Sequence, residues 1–313
     1  MSDEPLRILN MWGSDVSTAI LRVAPDAEVI DVPPADEYRA GLRGDVMFAM
    51  WFEHPIFDDL DATGLEWMHL PGTGVDNLPR RILEGRTVTC SRGVSAIPIS
   101  EYVLGTMLAF EKDFPSVWLR EPPKHWNIAS LGELAGKTLG LVGLGGIGTA
   151  VAWRALAFDM RVRALKRNPG RDVIEGVEPA KDLPDLLATA DHLVLAAPAT
   201  AATSNLIDAE ALALVKPGVH VVNIARGSLV DQDALRAALD DGRVACASLD
   251  TVDPEPLPAG HWMYSHPKVR LSAHISWSSP RAFDRIQASF HENLRRYRAG
   301  EPLYGVVDPA EGY

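Results

Sequence analysis

The chain has 313 residues, and at roughly 150 residues per domain that length points to two domains. With 47% apolar and 23% charged residues it can build a real core, which excludes wholesale disorder. Thirty Lys and Arg against forty-two Asp and Glu leave a formal charge of −12, a field that repels phosphate and argues against a general nucleic-acid or anionic-membrane partner.

Any anionic substrate then needs a local positive site. No apolar run reaches the roughly 18 residues of a spanning helix. The acidic start, MSDEPLRILN, passes straight into a strand-like run and lacks the features of a secretory signal. Cys90 and Cys246 are the only cysteines, each in a strand-like segment. They read as two buried thiols in a reducing cytoplasm, without a disulfide framework or a cysteine metal site.

In chain order, strand-like runs cover Arg7–Trp12, Glu28–Val32, Asp45–Trp51, Leu65–Leu70 and Thr87–Ser91. Helical candidates lie between them at Val16–Val23, Glu37–Leu42, Pro55–Leu60 and Asp76–Leu83. Strands separated by single helices predict a parallel sheet covered on both faces. A longer helix is expected over Pro98–Lys112, followed by FPSVWLREPPKHWNIAS, an arm or linker without clear periodicity. At Lys137 the alternation restarts, with strands at Thr138–Val142, Arg161–Leu165, His192–Ala196, Val219–Ile224, Val244–Leu249 and Val269–Ser272. Helices are expected at Ile147–Ala157, Leu183–Ala188, Ala209–Leu214 and Gln232–Leu239. A last helix, Arg281–Ala299, carries Phe283, Ile286, Phe290 and Leu294 on one face and should return to the N-terminal domain. The predicted fold is α/β with two doubly wound parallel-sheet domains.

The strongest local signal is the strand ending in Gly143-Leu144-Gly145-Gly146-Ile147-Gly148 and opening into a helix. The first glycine permits the tight turn, the second lets backbone approach a pyrophosphate, and the third lets helix pack on strand. The second strand of this domain ends in Arg163-Ala164-Leu165-Lys166-Arg167-Asn168, with no acid where an NAD site places one for the ribose hydroxyls. Lys166 and Arg167 could instead neutralise a 2′-phosphate, which favours NADP(H) over NAD(H). A solvated basic edge, shared with Arg161, Arg163 and Arg171, is the alternative.

Nine histidines compete for an acid/base role. His274 lies past a strand end, where doubly wound domains face their ligands, and His69 nears another, just before Pro71-Gly72-Thr73-Gly74. His220 sits inside a strand and His291 inside a helix. Arg226 and Glu255 also lie just past strands, so the three appear together behind a dinucleotide turn. No clustered His, Cys or Asp spacing supports a metal shell.

These residues carry a resemblance to the D-isomer-specific 2-hydroxyacid dehydrogenases: the glycine turn, Asn223-Ile224-Ala225-Arg226-Gly227-Ser228-Leu229-Val230-Asp231, Leu249-Asp250 with Glu255-Pro256-Leu257, and Ala273-His274-Ile275. Gly72-Thr73-Gly74-Val75-Asp76-Asn77 looks like the family's substrate-carboxylate loop. The resemblance implies a Rossmann cofactor domain over 102–278 and a flavodoxin-like substrate domain over 1–101 and 279–313. It implies hydride transfer between a nicotinamide and C2 of a small 2-oxo or 2-hydroxy acid. His274 would pass the proton, Glu255 would orient the imidazole and favour its charged form, and Arg226 would bind and polarise the substrate. Thr73 and Gly74 would hold the carboxylate through backbone N–H groups. Asp250 would contact the nicotinamide carboxamide, a structural acid being the alternative, and Pro198 and Thr203 would lie beside the cofactor.

The pair Lys166-Arg167 resembles the NADP-using glyoxylate and hydroxypyruvate reductases of the family. Where many members carry a glycine-containing run after the histidine, this chain has Ser276-Trp277-Ser278; Trp277 would wall the pocket or fill core. Trp51 and Phe52 would face the substrate side chain. An NAD-dependent D-2-hydroxyacid dehydrogenase is the second enzyme reading, and a nucleotide-sensing interaction protein on the same fold is the third. The resemblance also implies a homodimer, with Trp118, Pro122, Pro123 and Trp126 on an arm that embraces the partner or folds back. Hinge closure around substrate is expected near Glu101 and Ser279.

Overall fold

Strands apolar at successive positions need cover on both faces, and a helix between consecutive strands supplies it when the strands run parallel. The first stretch follows that rule with β1 (Arg7–Asn10), α1 (Ser14–Val23), β2 (Glu28–Asp31), β3 (Val46–Phe48), α2 (Leu60–Thr63), β4 (Trp67–Leu70), α3 (Arg80–Leu83) and β5 (Thr87–Cys90). Its five strands pair in parallel in the order β2-β1-β3-β4-β5, the flavodoxin-like winding. The computed structural model describes residues 4–50, 53–76, 78–167 and 174–310. It divides into two units, Met1–Val94 with Pro280–Tyr313, and Ser95–Ser279. Trp51, Phe52, Asn77, Asn168 and Arg171 lie outside the described residues.

The second unit opens with α4 (Ala96–Glu111) and continues β6 (Thr138–Val142), α5 (Gly146–Leu156), β7 (Arg161–Leu165), β8 (Val177–Pro179), α6 (Leu183–Leu187), β9 (His192–Leu195), α7 (Ala209–Ala213), β10 (Val219–Asn223), α8 (Gln232–Asp240), β11 (Val244–Leu249) and β12 (Val269–Leu271). Seven parallel strands order as β12-β11-β10-β9-β6-β7-β8. β6 lies between β7 and β9, so the winding reverses beside it, and such a reversal opens a ligand crevice at the carboxyl ends of the strands. Two apolar clusters flank this sheet, one around Leu193, Val221 and Leu235, the other around Leu141, Val151 and Val222.

The last helix, α9 (Ala282–Ala299), belongs to the first unit. Ile286, Phe290 and Leu294 are buried, and the Phe290 ring stacks on Phe48 at 4.2 Å and on Trp67 at 5.4 Å. Burying one such ring stabilises by about 2–3 kcal/mol. Phe283, expected on the same face, is 51% exposed and meets the edge of Trp12. Asn293 exchanges two hydrogen bonds with the Tyr304 backbone and so pins the tail.

Three local expectations change. Glu37–Leu42 forms no helix, because Gly41 sits at φ +114°, outside helical backbone. Asp76–Leu83 contracts to α3 behind Pro79, and Pro55–Leu60 becomes a 3-10 turn, Pro55–Asp58, ahead of α2. β8 is an addition: a three-residue edge strand with one partly buried apolar residue and a terminal proline, too short to show a period. The segment between α4 and β6 contains no helix or strand, and Trp118 and Trp126 there are 64% and 77% exposed. Among the described residues no helix is long and apolar enough to cross a membrane.

Candidate active site

β6 is buried throughout and delivers Gly143 to the switch point, where its φ of +98° suits glycine. A Cβ there would stand 2.8 Å from the Ala196 backbone after β9, and one on Gly148 would stand 2.2 Å from Gly143 O. Both glycines are therefore demanded by close backbone approach. Gly145 differs, since its Cβ would meet nothing within 4 Å. Gly145 and Gly146 are exposed at the start of α5, where the N-terminal N–H groups lack helical partners. Space beside exposed backbone at a helix N-terminus fits a dinucleotide pyrophosphate. Ile147, half-buried, follows in the first turn of α5.

Three basic residues lie at or just past the end of β7. Arg163 is committed to structure, donating to Asp185 at 2.7 Å and to Thr189 Oγ1 at 2.7 Å. Lys166 and Arg167 follow the last strand residue, the first half-buried and the second exposed. Past β9, Thr203 Oγ1 accepts from Thr200 N at 2.8 Å and donates to Pro198 O at 2.7 Å, closing that loop on itself.

His274 and Glu255 come together. His274 Nδ1 lies 2.8 Å from Glu255 Oε2, while Glu255 Oε1 accepts from Val252 N at 3.1 Å. Both side chains remain about 40% exposed, at 41% and 37%. A cavity of about 560 Å³ flanks the pair, lined by Val252, Leu257, Met263 and Leu271 among others. His274 itself sits at φ 53°, a left-handed conformation that costs a non-glycine residue energy and needs enforcement. Enforcement comes from Asp250: its backbone oxygen accepts from His274 N at 2.8 Å, and its buried carboxylate accepts from Ile275 N and Ser276 N, each at 2.9 Å. Ser272 Oγ, 2.6 Å from Tyr102 OH, donates to the same carboxylate at 2.5 Å. Burial raises the Asp250 carboxyl, but these hydrogen bonds outweigh it and hold it below the usual range. Trp277 donates its indole N–H to His274 O at 3.0 Å, which closes the turn from the other side.

Arg226 leaves β10 through a turn clamped by buried Asn223, whose Nδ2 donates to Arg226 O and whose Oδ1 accepts from Ala225 N. A Cβ on Gly227 would stand 1.9 Å from the Val252 carbonyl carbon, so the Arg226 turn rests directly on the segment that binds Glu255. Gly227→Ala is expected to cost about 3 kcal/mol or more by forcing those backbones apart. Chemical denaturation checks this; an unchanged midpoint would contradict the contact.

In the first unit, Gly72-Thr73-Gly74 follows β4, with Gly74 exposed and Val75 anchored in the core. His220 is no candidate for proton transfer: it is buried between His192 Nδ1 at 3.2 Å and Ser248 Oγ at 2.9 Å, and burial drives its pKa well down. His192 in turn faces Glu111 at 3.0 Å. Tyr102 and Ser272 support the site without any sequence signal, since they act through a contact between distant segments. Among the described residues no group of three His, Cys, Asp or Glu could hold a metal.

Residues 104–276 match the model of the D-isomer specific 2-hydroxyacid dehydrogenase, NAD binding domain. A glyoxylate reductase from Thermofilum pendens is 30% identical over 308 residues, 96% of this chain and 83% of its own. A D-isomer specific 2-hydroxyacid dehydrogenase from Xanthobacter autotrophicus, solved with NADPH and MES, superposes with a TM-score of 0.84 at 28% identity, covering 99% of both chains. The NADPH-dependent glyoxylate/hydroxypyruvate reductase of Sinorhizobium meliloti, solved with NADP and sulfate, gives 0.83 at 26% identity, covering 99% of this chain and all of that one. The chain spans about half the length of the D-3-phosphoglycerate dehydrogenases of Bacillus subtilis and Mycobacterium tuberculosis that it also matches. With its sheet order, glycine turn and family-model match in agreement, the chain belongs to the D-isomer specific 2-hydroxyacid dehydrogenases.

Proposed function

We propose that the protein is an NADP(H)-dependent reductase of small 2-oxo acids such as glyoxylate or hydroxypyruvate. The observation that carries this reading is the His274–Glu255 contact, at the ends of strands in the same sheet that presents the glycine turn. The nicotinamide, when bound, supplies hydride to C2 of the substrate. Gly143, Gly145, Gly146, Ile147 and Gly148 would hold its pyrophosphate, with Pro198, Thr203 and Asp250 lining the remaining length. Because Nδ1 of His274 is directed to Glu255, Nε2 is the nitrogen left to hold the proton for the carbonyl oxygen, and to recover it in the oxidative direction. Arg226 binds the carboxylate and the carbonyl oxygen, where its charge counts most as negative charge develops. The backbone N–H groups of Thr73 and Gly74 would hold the carboxylate.

Preference for NADP(H) rests on Lys166 and Arg167, which stand where a carboxylate would repel a 2′-phosphate. The nucleotides bound by the Xanthobacter and Sinorhizobium proteins support it. The same reading has the enzyme act as a homodimer in a reducing cytoplasm. Trp118, Leu119, Trp126 and Ile128, each more than half exposed, supply apolar surface of the kind a partner covers, and Cys90 and Cys246 are free and buried.

Initial rates of NADPH and NADH oxidation with glyoxylate, hydroxypyruvate and larger 2-oxo acids test the reading. NADPH should be preferred, and Lys166→Ala with Arg167→Ala should lower kcat/KM for NADPH by about 10²-fold, at roughly tenfold per charge-assisted contact. Turnover with NADH alone would favour the NAD-dependent dehydrogenase. Tight NADPH binding with no turnover across the panel would favour the nucleotide-sensing protein.

A further inference from the structure

β4 ends one residue after His69, and the next residues are the loop to which the proposed function assigns the substrate carboxylate. His69 is completely buried, with the rings of Phe48, Trp67 and Phe290 around it at 5.7–6.2 Å. Both its nitrogens meet hydroxyls: Nδ1 lies 2.7 Å from Thr89 Oγ1, and Nε2 lies 3.1 Å from Ser91 Oγ.

Donor accounting favours one direction for each bond. The Trp67 indole only donates, and it gives its proton to Thr89 Oγ1 at 2.8 Å. Thr89 therefore has its own hydroxyl proton to place, and His69 Nδ1 is the acceptor beside it. His69 is then the Nε2–H tautomer and donates to Ser91 Oγ. Ser91 Oγ passes its proton to Leu70 O, which only accepts, at 3.2 Å. The opposite tautomer would leave the Thr89 hydroxyl proton without an acceptor among these groups and cost Ser91 its bond to Leu70. Burial pulls the His69 pKa down to about 3, so the ring keeps this neutral form at working pH.

Ser91 is where the relay reaches the loop. Besides the hydroxyl bond, its N–H is shared between Leu70 O at 3.1 Å and Gly72 O at 3.2 Å, and its carbonyl accepts from Thr73 Oγ1 at 3.4 Å. We propose that His69 is a positioning residue: through Ser91 it holds the backbone that presents Thr73 and Gly74 to the substrate carboxylate. The proposal rests on the carboxylate assignment made above.

Two variants cut the relay at different points. Ser91→Ala removes the hydroxyl that joins His69 to the loop. Thr89→Val keeps the shape, removes the upstream hydroxyl and leaves the loop's own contacts intact. With NADPH and glyoxylate, Ser91→Ala should raise the glyoxylate KM about tenfold and Thr89→Val several-fold, with kcat and the NADPH KM within about twofold, the pattern of lost ground-state binding. Thr89→Ser should restore the KM. Long-range proton–nitrogen NMR of histidine-labelled wild-type protein near neutral pH should show His69 as the Nε2–H tautomer. Folded variants with unchanged glyoxylate KM, or an Nδ1–H or doubly protonated His69, would overturn the proposal. Wild-type protein that turns over no 2-oxo acid would overturn the carboxylate assignment instead, and the tautomer would then report on the relay alone.

Discussion

Replacing His274 by alanine is expected to lower kcat by about 10²–10⁴-fold, the contribution typical of a positioned acid or base. Alanine also loses a side chain at a backbone position of φ 53°, so a second substitution separates the two effects. Asparagine tolerates left-handed backbone better than most residues and should keep the turn, yet it offers no group that can relay the proton. Both variants should therefore lose activity to a similar degree, with the NADPH KM little changed. Steady-state rates with glyoxylate measure this, and activity within about tenfold of wild type in either variant would remove His274 from the proton-transfer role.

Asp250→Ala is expected to cost about 2–4 kcal/mol, because it removes the buried carboxylate that accepts from the Ser272 hydroxyl and from the Ile275 and Ser276 N–H groups. Thermal unfolding of the protein without nucleotide should shift down by about 5–15 °C. Activity should fall with it, since the same carboxylate holds the turn that carries His274 and small misplacements are costly. A pH signature accompanies the loss. The carboxyl of Asp250 is held below its unfolded value near about 3.9, so its contribution is complete above that pH and disappears as pH falls through the lower folded value. Wild-type protein should thus lose stability on acidification over that range more steeply than Asp250→Asn. Equal acid profiles and an unshifted melting point would place the residue outside the scaffold and leave only a cofactor contact.

The parts of the site visible from sequence are those whose chemistry is local. Gly143 to Gly148 lie within one turn, and Arg226, Glu255 and His274 each sit just beyond an apolar run that reads as a strand. What supports them joins segments far apart in the chain. Tyr102 and Ser272 meet at 2.6 Å across 170 residues, and Asp250 reaches Ser276 across 26. Asn223 was visible in its motif, but its work is to fold a hydrogen-bonded turn, which leaves no periodic trace. The fold itself followed from the alternation of strands and helices, because a buried parallel strand is apolar at nearly every position. Errors fell where a few residues mimic a period: Glu37–Leu42 has helical spacing, yet Gly41 breaks it. Hydrophobic residues also continue past the pairing at strand ends, as at Trp12, beyond β1, whose indole donates to Ala49 O.

The placement of α9 bears on how the protein is made. Residues 95–279 form one uninterrupted unit, whereas the first unit needs residues from both ends of the chain. During synthesis the N-terminal sheet emerges first but lacks the helix that covers Phe48 and Trp67 until residues 282–299 have left the ribosome. The later-emerging unit is complete earlier. Apolar rings left waiting in this way are a natural target for a chaperone, and a truncation ahead of Ala282 would keep them exposed for good.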